Sequence, residues 1–469
     1  MTENKFDLIV IGGGPAGYVG SIRAAQLGMK VACVDARKTL GGTCLNVGCI
    51  PSKALLNISE KFSEISSKGF ADLGIKVQSS KLDLNQVMNK KNEIVSSLTS
   101  GIDFLMKKNK ITRLNGKAKF KNNKVISVIN SDESKDYTAD KILIATGSIP
   151  SSIPGVEIDE KKIVSSTGAL EFSSIPKKLL VIGAGYIGLE MGTVWSRLGS
   201  DVEIIEFLPR ILPGMDLELA NNFEKIIRKK GLKLNLNTAV KKAKINKTDV
   251  TLTIEDQKDK KEREISCNKV LVATGRQPNI ENLGIKELGI KLTEKGQIIV
   301  DEDFETNVDG IFAVGDVILG PMLAHKAEED AVAAVEIMSG QSGHVDYDLV
   351  PGVVYTAPEI ATLGHTEEFL KEKGVEYNKG VFPFLANSRA KAIGHTEGFV
   401  KILADSKSDR VLGCHIISHD AGTLIHEVAT AMSFGASSED IARTCHAHPT
   451  MNEAVKEAAL AVEKRAVHI

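Results

Sequence analysis

The sequence predicts an α/β protein in which two Rossmann-like dinucleotide-binding domains are nested, with a separate C-terminal α+β domain after them. Three observations predict it. Glycine-rich turns at Gly12–Gly17 and Gly183–Gly188 each lie between an apolar run and a helical stretch. In each copy an acid stands 23 positions after the first glycine, Asp35 after Gly12 and Glu206 after Gly183. From about Asp346 the pattern changes to short strands and then helices, with no further glycine-rich phosphate loop.

Taken in chain order, Phe6 to Ile11 reads as a strand because it is apolar and β-branched. Gly12-Gly13-Gly14-Pro15-Ala16-Gly17 is the tight turn, a helix runs to about Leu27, and a second strand from Lys30 to Val34 ends at Asp35. A lone G-x-G-x-x-G also marks ordinary turns; the strand before it, the helix after it and the acid beyond give it weight. In such a unit the first glycine makes the turn and the second lets backbone approach a pyrophosphate. The third lets helix and strand pack closely, while the helix N-terminus attracts the phosphate charge. The second copy repeats this with Leu179 to Ile182, Gly183-Ala184-Gly185-Tyr186-Ile187-Gly188, a helix to about Leu198, and Val202 to Ile205 ending at Glu206. Ala145-Thr146-Gly147, Ala273-Thr274-Gly275 and Ala313-Val314-Gly315-Asp316 each end an apolar strand-like run. Charge-rich Asp256 to Glu264 reads as a solvated hairpin tip, and Gly398 to Leu403 with Arg410 to Ile417 as strands of the last domain. A long Ala/Glu/Lys-rich helix is expected from Thr450 to about Lys464.

At 469 residues the chain is long enough for several buried cores, about three domains. Hydrophobic residues at 42% and charged residues at 25% are those of an ordinary globular protein, which excludes disorder and collagen-like repeats. Lys+Arg 59 against Asp+Glu 60 gives a net charge of −1, so no basic excess argues for nucleic acid or an anionic membrane as partner. No apolar run approaches the roughly 20 residues that cross a bilayer. The start, Met1 to Asp7, has neither a basic n-region nor an Arg-rich presequence. The expected compartment is therefore the bacterial cytoplasm, with the mitochondrial matrix, as a mature form lacking its presequence, the alternative. Six cysteines, four of them scattered singly, are no secreted disulfide framework.

The remaining pair lies in Gly41-Gly42-Thr43-Cys44-Leu45-Asn46-Val47-Gly48-Cys49-Ile50-Pro51-Ser52-Lys53. An ideal helix separates residues five apart by about 8.7 Å at Cα, whereas a disulfide tolerates no more than about 7 Å. A bridge here needs a distorted turn, which Gly48 and Pro51 favour, and a strained bridge is the exchange-competent kind. Two small buried hydrophobes, half of a zinc site and a purely structural bridge are the competing uses; no second Cys pair offers the remaining zinc ligands, and only His446 and His448 keep that use open. Near the other end, His448-Pro449-Thr450-Met451-Asn452-Glu453 offers two readings of its acid. Glu453 completes a T-x-x-E capping box with Thr450, or it orients the ring of His448 as a base for thiol activation. Histidine suits that work because its ordinary pKa of about 6.5 lets it take and return a proton near neutrality. The other histidines read as packing or surface groups unless a motif argues otherwise.

Together these residues resemble the flavin-dependent pyridine nucleotide-disulfide oxidoreductases over essentially the whole chain. The carriers are the G-G-T-C-x4-C-I-P-S-K block at 41–53, the two fingerprints, Gly315-Asp316 with Gly320 to Ala327, Phe382 to Lys391, and H-P-T-x-x-E at 448–453. Met322 to Ala327 and Phe382 to Lys391 are what point to the lipoamide branch. The resemblance implies an FAD-binding domain at 1–148 that resumes at 276–345, an NAD-binding domain at 149–275, and an interface, or dimerisation, domain at 346–469. It assigns FAD to Gly12, Gly14, Gly17, Asp35, Thr43, Lys53, Gly116, Thr146, Gly147, Ser148, Asp316, Met322, Leu323, Ala324 and His325. NAD falls to Gly183, Gly185, Gly188, Glu190, Glu206, Val240 and Gly275, and no metal is implied. A carboxylate at Glu206 accepts from both ribose hydroxyls and repels a 2′-phosphate, which favours NAD over NADP; Arg210 nearby is the one residue that argues otherwise.

The activity implied is oxidation of dihydrolipoyl groups by NAD⁺ through a Cys44–Cys49 redox disulfide and FAD. Cys44 takes part in the transient mixed disulfide, Cys49 lies nearer the flavin, and His448 backed by Glu453 is the base. In the family that pair comes from the partner subunit of a homodimer. The implied partners are lipoyl domains of 2-oxoacid dehydrogenase complexes or the H protein of glycine cleavage. Asn452 stands where the lipoamide branch commonly has Ser, and Met451 where it has Leu; both flank the His-Glu pair and bear on its positioning.

Overall fold

Phe6, Leu8, Ile9, Val10 and Ile11 are all buried, and they make the central strand of a seven-stranded sheet. The computed structural model describes residues 4–66, 69–131 and 133–469; Met1–Glu3, part of the start read above for targeting signals, lie outside the described residues. In the first sheet β1 (Lys5–Ile11), β2 (Val31–Asp35), β3 (Thr112–Asn115), β4 (Lys117–Asn122), β5 (Val125–Ile129) and β6 (Ser134–Ile144) lie in the order β3-β2-β1-β6-β5-β4. The seventh strand, Ile311–Ala313, adds parallel to β6. β1, β2, β3 and β6 pair in parallel, and β4 and β5 form an antiparallel arm. Parallel strands need crossovers, and α1 (Pro15–Gln26) supplies the one between β1 and β2. Proline at its first turn costs nothing, because that N–H has no helical partner anyway.

The chain divides into two compact units. The first gathers Met1–Leu55, Asp83–Ser151 and Gly275–Tyr347, which is how a strand as late as Ile311–Ala313 comes to lie in the sheet of β1. The second comprises Leu56–Leu82, Ser152–Thr274 and Asp348–Ile469. It holds a five-stranded parallel sheet in the order Lys233–Asn235, Asp201–Ile205, Lys178–Ile182, Lys269–Val272, Ile163–Val164. A three-stranded antiparallel sheet follows, whose strands Val250–Asp256 and Glu262–Cys267 are joined at the charged hairpin tip the sequence predicts. The same unit contains a five-stranded antiparallel sheet with Phe399–Asp405 beside Val411–Ser418, covered by the helices Ala421–Ser433 and Glu453–Val462. The last helix differs from expectation: it starts at Glu453, three residues after Thr450, and ends at Val462.

Within the second unit Lys401 and Asp216 form a fully buried ion pair. The ammonium of Lys401 donates to Asp216 Oδ1 at 3.0 Å and Oδ2 at 2.9 Å and to Glu367 Oε2 at 2.6 Å. Burial alone would raise the Glu367 carboxyl, but hydrogen bonds from Lys371, Lys401 and Tyr377 outweigh it and hold it well below the usual carboxylate range. Asp216 is held low in the same way, and burial of Lys401 is overcome by its carboxylate partners, which raise it. The cluster's stabilisation is therefore complete between the ordinary carboxylate and lysine ranges. It is lost as pH falls through the depressed carboxyl values or rises through the raised ammonium value.

Removing the cation should be costly, since an uncompensated buried charge costs about 3–5 kcal/mol. Lys401→Met is expected to lower the thermal midpoint reported by Trp195, the one tryptophan and fully buried in the same unit, by about 5–15 °C at pH 7. The deficit should narrow towards pH 5, because Asp216, without its cation, is pushed up by burial and protonates. A deficit that does not change with pH would show that packing, and not charge, holds these elements together.

Candidate active site

The two cysteines meet because a helix is interrupted between them. α2 (Gly42–Val47) carries Cys44, α3 (Cys49–Ser66) opens on Cys49, and Gly48 between them has left helical geometry, at φ −143° and ψ −111°. A Cβ at Gly48 would lie 2.9 Å from the carbonyl oxygen of Thr43 and 3.4 Å from Cys44 Cα, so only glycine fits this break. The two side chains are in contact, Cys44 being hydrogen-bonded to Cys49. That bond, with burial behind it, pushes the Cys44 thiol far up, against the opposing pull of the Lys53 ammonium. Asn46 braces the turn before α2, its amide donating to Leu40 O at 3.1 Å and Gly42 O at 2.9 Å while Thr39 donates to its carbonyl. The distortion predicted from the spacing is thus present, at the predicted glycine.

The first unit assembles the residues assigned above to FAD. Gly12 has φ +107°, and a side chain there would run into Ala145 O at 2.2 Å; a Cβ on Gly17 would meet Gly12 O at 1.7 Å. Asp35 receives the N–H of Gly13 at 2.6 Å and of Arg37 at 2.7 Å, so its carboxylate is fixed at the mouth of the turn. Gly116 donates to Asp35 O, and Thr43 Oγ1 accepts from Arg37 at 3.3 Å. Thr146 Oγ1 is buried without a hydrogen-bond partner. Ser148 Oγ donates to Asp316 at 2.5 Å and accepts from Arg276 Nε at 2.6 Å. Met322 and Leu323 lead into the helix Ala324–Met338, whose first turn holds Ala324 and His325 and has no side-chain cap. An orphaned hydroxyl, an uncapped helix start and a glycine cradle at one sheet edge fit a flavin dinucleotide. Sequence reasoning missed Arg276; its place at the end of an A-T-G-R run was the available signal.

The second unit carries the other fingerprint. A Cβ on Gly188 would meet Gly183 O at 2.0 Å, whereas Gly185 faces open space, the room a pyrophosphate needs. Glu206 is buried, with Oε2 receiving Ala184 N at 2.7 Å and Oε1 receiving Leu208 N at 2.8 Å, so both oxygens are aimed while retaining free lone pairs. Arg210 is turned away from any nucleotide role, because its guanidinium donates to the carbonyls of Ile211, Leu212 and Met215 in its own loop. Glu190, in the middle of the helix Tyr186–Arg197, accepts from Tyr355 N at 3.0 Å. Val240 lies at an irregularity of the strand Thr238–Ile245, and Gly275 opens the third stretch of the first unit.

At the C-terminal end Glu453 serves both readings at once. Its Oε1 takes His448 Nδ1 at 2.9 Å and its Oε2 takes Thr450 N at 2.9 Å. Burial would raise the Glu453 carboxyl, but these hydrogen bonds outweigh it and hold the group below its ordinary value, as a carboxylate. With Nδ1 engaged, Nε2 of His448 is the nitrogen left to act, on a side chain 71% exposed. The Thr450 hydroxyl caps nothing; it donates to Ala447 O at 2.7 Å, which is why the helix starts only at Glu453. A second pair went unpredicted: His446, considered only as a packing or surface group or a zinc ligand, meets Glu427 at 2.5 Å.

A family model described as pyridine nucleotide-disulphide oxidoreductase matches residues 6–331, and its dimerisation domain matches 350–459. Among curated relatives, a mitochondrial dihydrolipoyl dehydrogenase of Pisum sativum is 54% identical, covering 100% of this chain and 93% of its own. One from Sus scrofa is 50% identical over 97% and 90%. A leghemoglobin reductase of Glycine max is 55% identical over 98% and 88%. Among solved structures, LpdA of Mycobacterium tuberculosis superposes with a TM-score of 0.89 at 25% identity, covering 96% of this chain and 98% of that one.

The geometry of Glu206 and Arg210 predicts their separate effects on nucleotide choice. Glu206→Arg is expected to shift the ratio of dissociation constants towards NADPH by at least about tenfold. Arg210→Ala should leave that ratio alone. The two ratios, measured by titration, settle which residue reads the ribose; a shift in the second variant would reassign the role.

Proposed function

We propose that this chain, which belongs to the pyridine nucleotide-disulphide oxidoreductase family, is a dihydrolipoamide:NAD⁺ oxidoreductase. It would reoxidise dihydrolipoyl groups as the flavoprotein component of 2-oxoacid dehydrogenase or glycine cleavage complexes. The observation that carries the reading is the Cys44–Cys49 pair, two sulfurs in mutual contact across a glycine break, in the unit that holds the flavin cradle. The family uses FAD and NAD. FAD, when bound, accepts the electron pair from the thiols and hands it to NAD⁺ as hydride.

The chain's own residues account for the sulfur steps. One thiolate of the substrate attacks Cys44 of the oxidised pair, forming a mixed disulfide and expelling Cys49 as thiolate. The second substrate thiol closes on the first, releasing the cyclic disulfide and leaving Cys44 reduced. Two protons leave the substrate in turn: His448, held by Glu453, is the base proposed to take one, and the other ends on the Cys44 sulfur as it is released.

The matched dimerisation domain makes the chain a homodimer-forming member. The domain limits 1–148, 149–275, 276–345 and 346–469 and the base role across the dimer belong to this proposal, as do the lipoyl-domain and H-protein partners. Several relatives carry the word mitochondrial in their names, which favours the matrix alternative over a bacterial cytoplasm. Among the described residues no helix is long and apolar enough to cross a membrane.

The test is a visible spectrum followed by turnover on dihydrolipoamide, glutathione and Hg²⁺ with their matching nucleotides. Purified protein should be yellow and should reduce NAD⁺ only with dihydrolipoamide. Cys49→Ser should lose that turnover by at least about a thousandfold while keeping its flavin colour. Undiminished turnover in that variant would remove the sulfur relay.

A further inference from the structure

His448 sits in a loop, 444–452, which belongs to no helix or strand and yet must hold a base to within fractions of an ångström. A second set of groups secures that loop. His446, with its side chain only 5% exposed, places Nδ1 2.9 Å from Thr444 O and Nε2 2.5 Å from Glu427 Oε1. The other oxygen of Glu427 receives the side-chain amide of Asn452 at 2.6 Å. Glu427 projects from the helix Ala421–Ser433, so both ends of the loop are tied to one carboxylate on a rigid element.

The proton count is settled by the partners. Thr444 O only accepts, so Nδ1 carries a proton; a 2.5 Å contact between Nε2 and Oε1 holds one more, on one atom or the other. The His446–Glu427 pair has no net charge in either arrangement. It therefore acts on His448 by geometry and not by field. The other titratable groups around it are Lys456, which donates to Thr444 O at 3.4 Å, the buried Cys414 facing Glu427, and His448, Glu453 and His468 beyond. Burial pushes the Cys414 thiol up, so it stays neutral.

We propose that His446, Glu427 and Asn452 form a positioning network that fixes the His448 loop, with the amide donor of Asn452 closing it. The inference rests on the dihydrolipoamide reading for its assay. His446 touches no reacting atom; it is a positioning residue, buried while His448 is exposed.

The decisive variants change the donor at 452, Asp and Leu at nearly the same size and Ser at a smaller one. Asn452→Asp sets a carboxylate against Glu427, and the pair can close again only by sharing a proton. Its kcat for dihydrolipoamide should be about tenfold below wild type at pH 8.5 with KM little changed, and the ratio to wild type should climb towards one as pH falls to 6. Asn452→Leu, which has no donor, should lose about as much at every pH, and Asn452→Ser, which keeps a hydroxyl donor, should lose less than Asn452→Leu. NADH oxidation by a one-electron dye, which bypasses thiol chemistry, should persist in all three. A pH-independent ratio for Asn452→Asp, or equal losses in the Ser and Leu variants, would overturn the network. If Asn452→Asp does not fold, the Ser and Leu comparison decides alone. Wild-type protein that fails to oxidise dihydrolipoamide would instead remove the functional reading, so the two failures are distinguishable.

Discussion

Two sulfur atoms five residues apart cannot meet along an unbroken helix, and the chemistry proposed for this protein depends on their meeting. Gly48 resolves the conflict by ending one helix and starting another in a single residue. A side chain is disfavoured there, because its Cβ would lie 2.9 Å from the carbonyl oxygen of Thr43, against backbone that cannot yield cheaply. The break also orders the pair. Cys44 closes against the turn braced by Asn46, and Cys49 becomes the first residue of a long helix, where the positive end of the backbone dipole favours a thiolate.

What the sequence made legible is what is local. Each fingerprint with its acid, and likewise the cysteine block, lies within some 25 consecutive residues, so the backbone constraints on each are set by near neighbours. The pairing of Asp35 with Gly13 and of Glu206 with Ala184 repeats one geometry at two places for that reason. The helix near the C-terminus was misjudged by three residues at its start because one carboxylate, Glu453, divides its oxygens between a histidine ring and a backbone N–H. A capping-box pattern names the residues but does not say where the threonine hydroxyl points, and here it points to Ala447.

Partners far apart in sequence were not legible. Asp216 and Lys401 lie 185 positions apart, and nothing near either signals that both will be buried. Glu427 and His446 are nearer, 19 apart, but they sit on different elements with no shared periodicity. Arg210 shows the converse: by proximity it looked like a phosphate ligand, yet three carbonyls of its own loop claim its guanidinium. Charge in a sequence is only a capacity, and the fold decides what spends it.

The same reasoning separates the two histidines of the H-A-H-P segment, which are chemically equal on the page. An acid–base group needs one nitrogen fixed and one nitrogen free, with access to solvent or substrate. His448 meets both requirements: Nδ1 is held by Glu453, and the ring is exposed. His446 meets neither, since both of its nitrogens face oxygen acceptors and the ring is buried. A histidine satisfied at both nitrogens has no proton to trade without breaking a bond, so it serves rigidity where its neighbour serves chemistry. The division follows from the carboxylates around each ring, one engaging a single nitrogen and the other completing a closed set, and it explains how one short loop can carry both a base and its support.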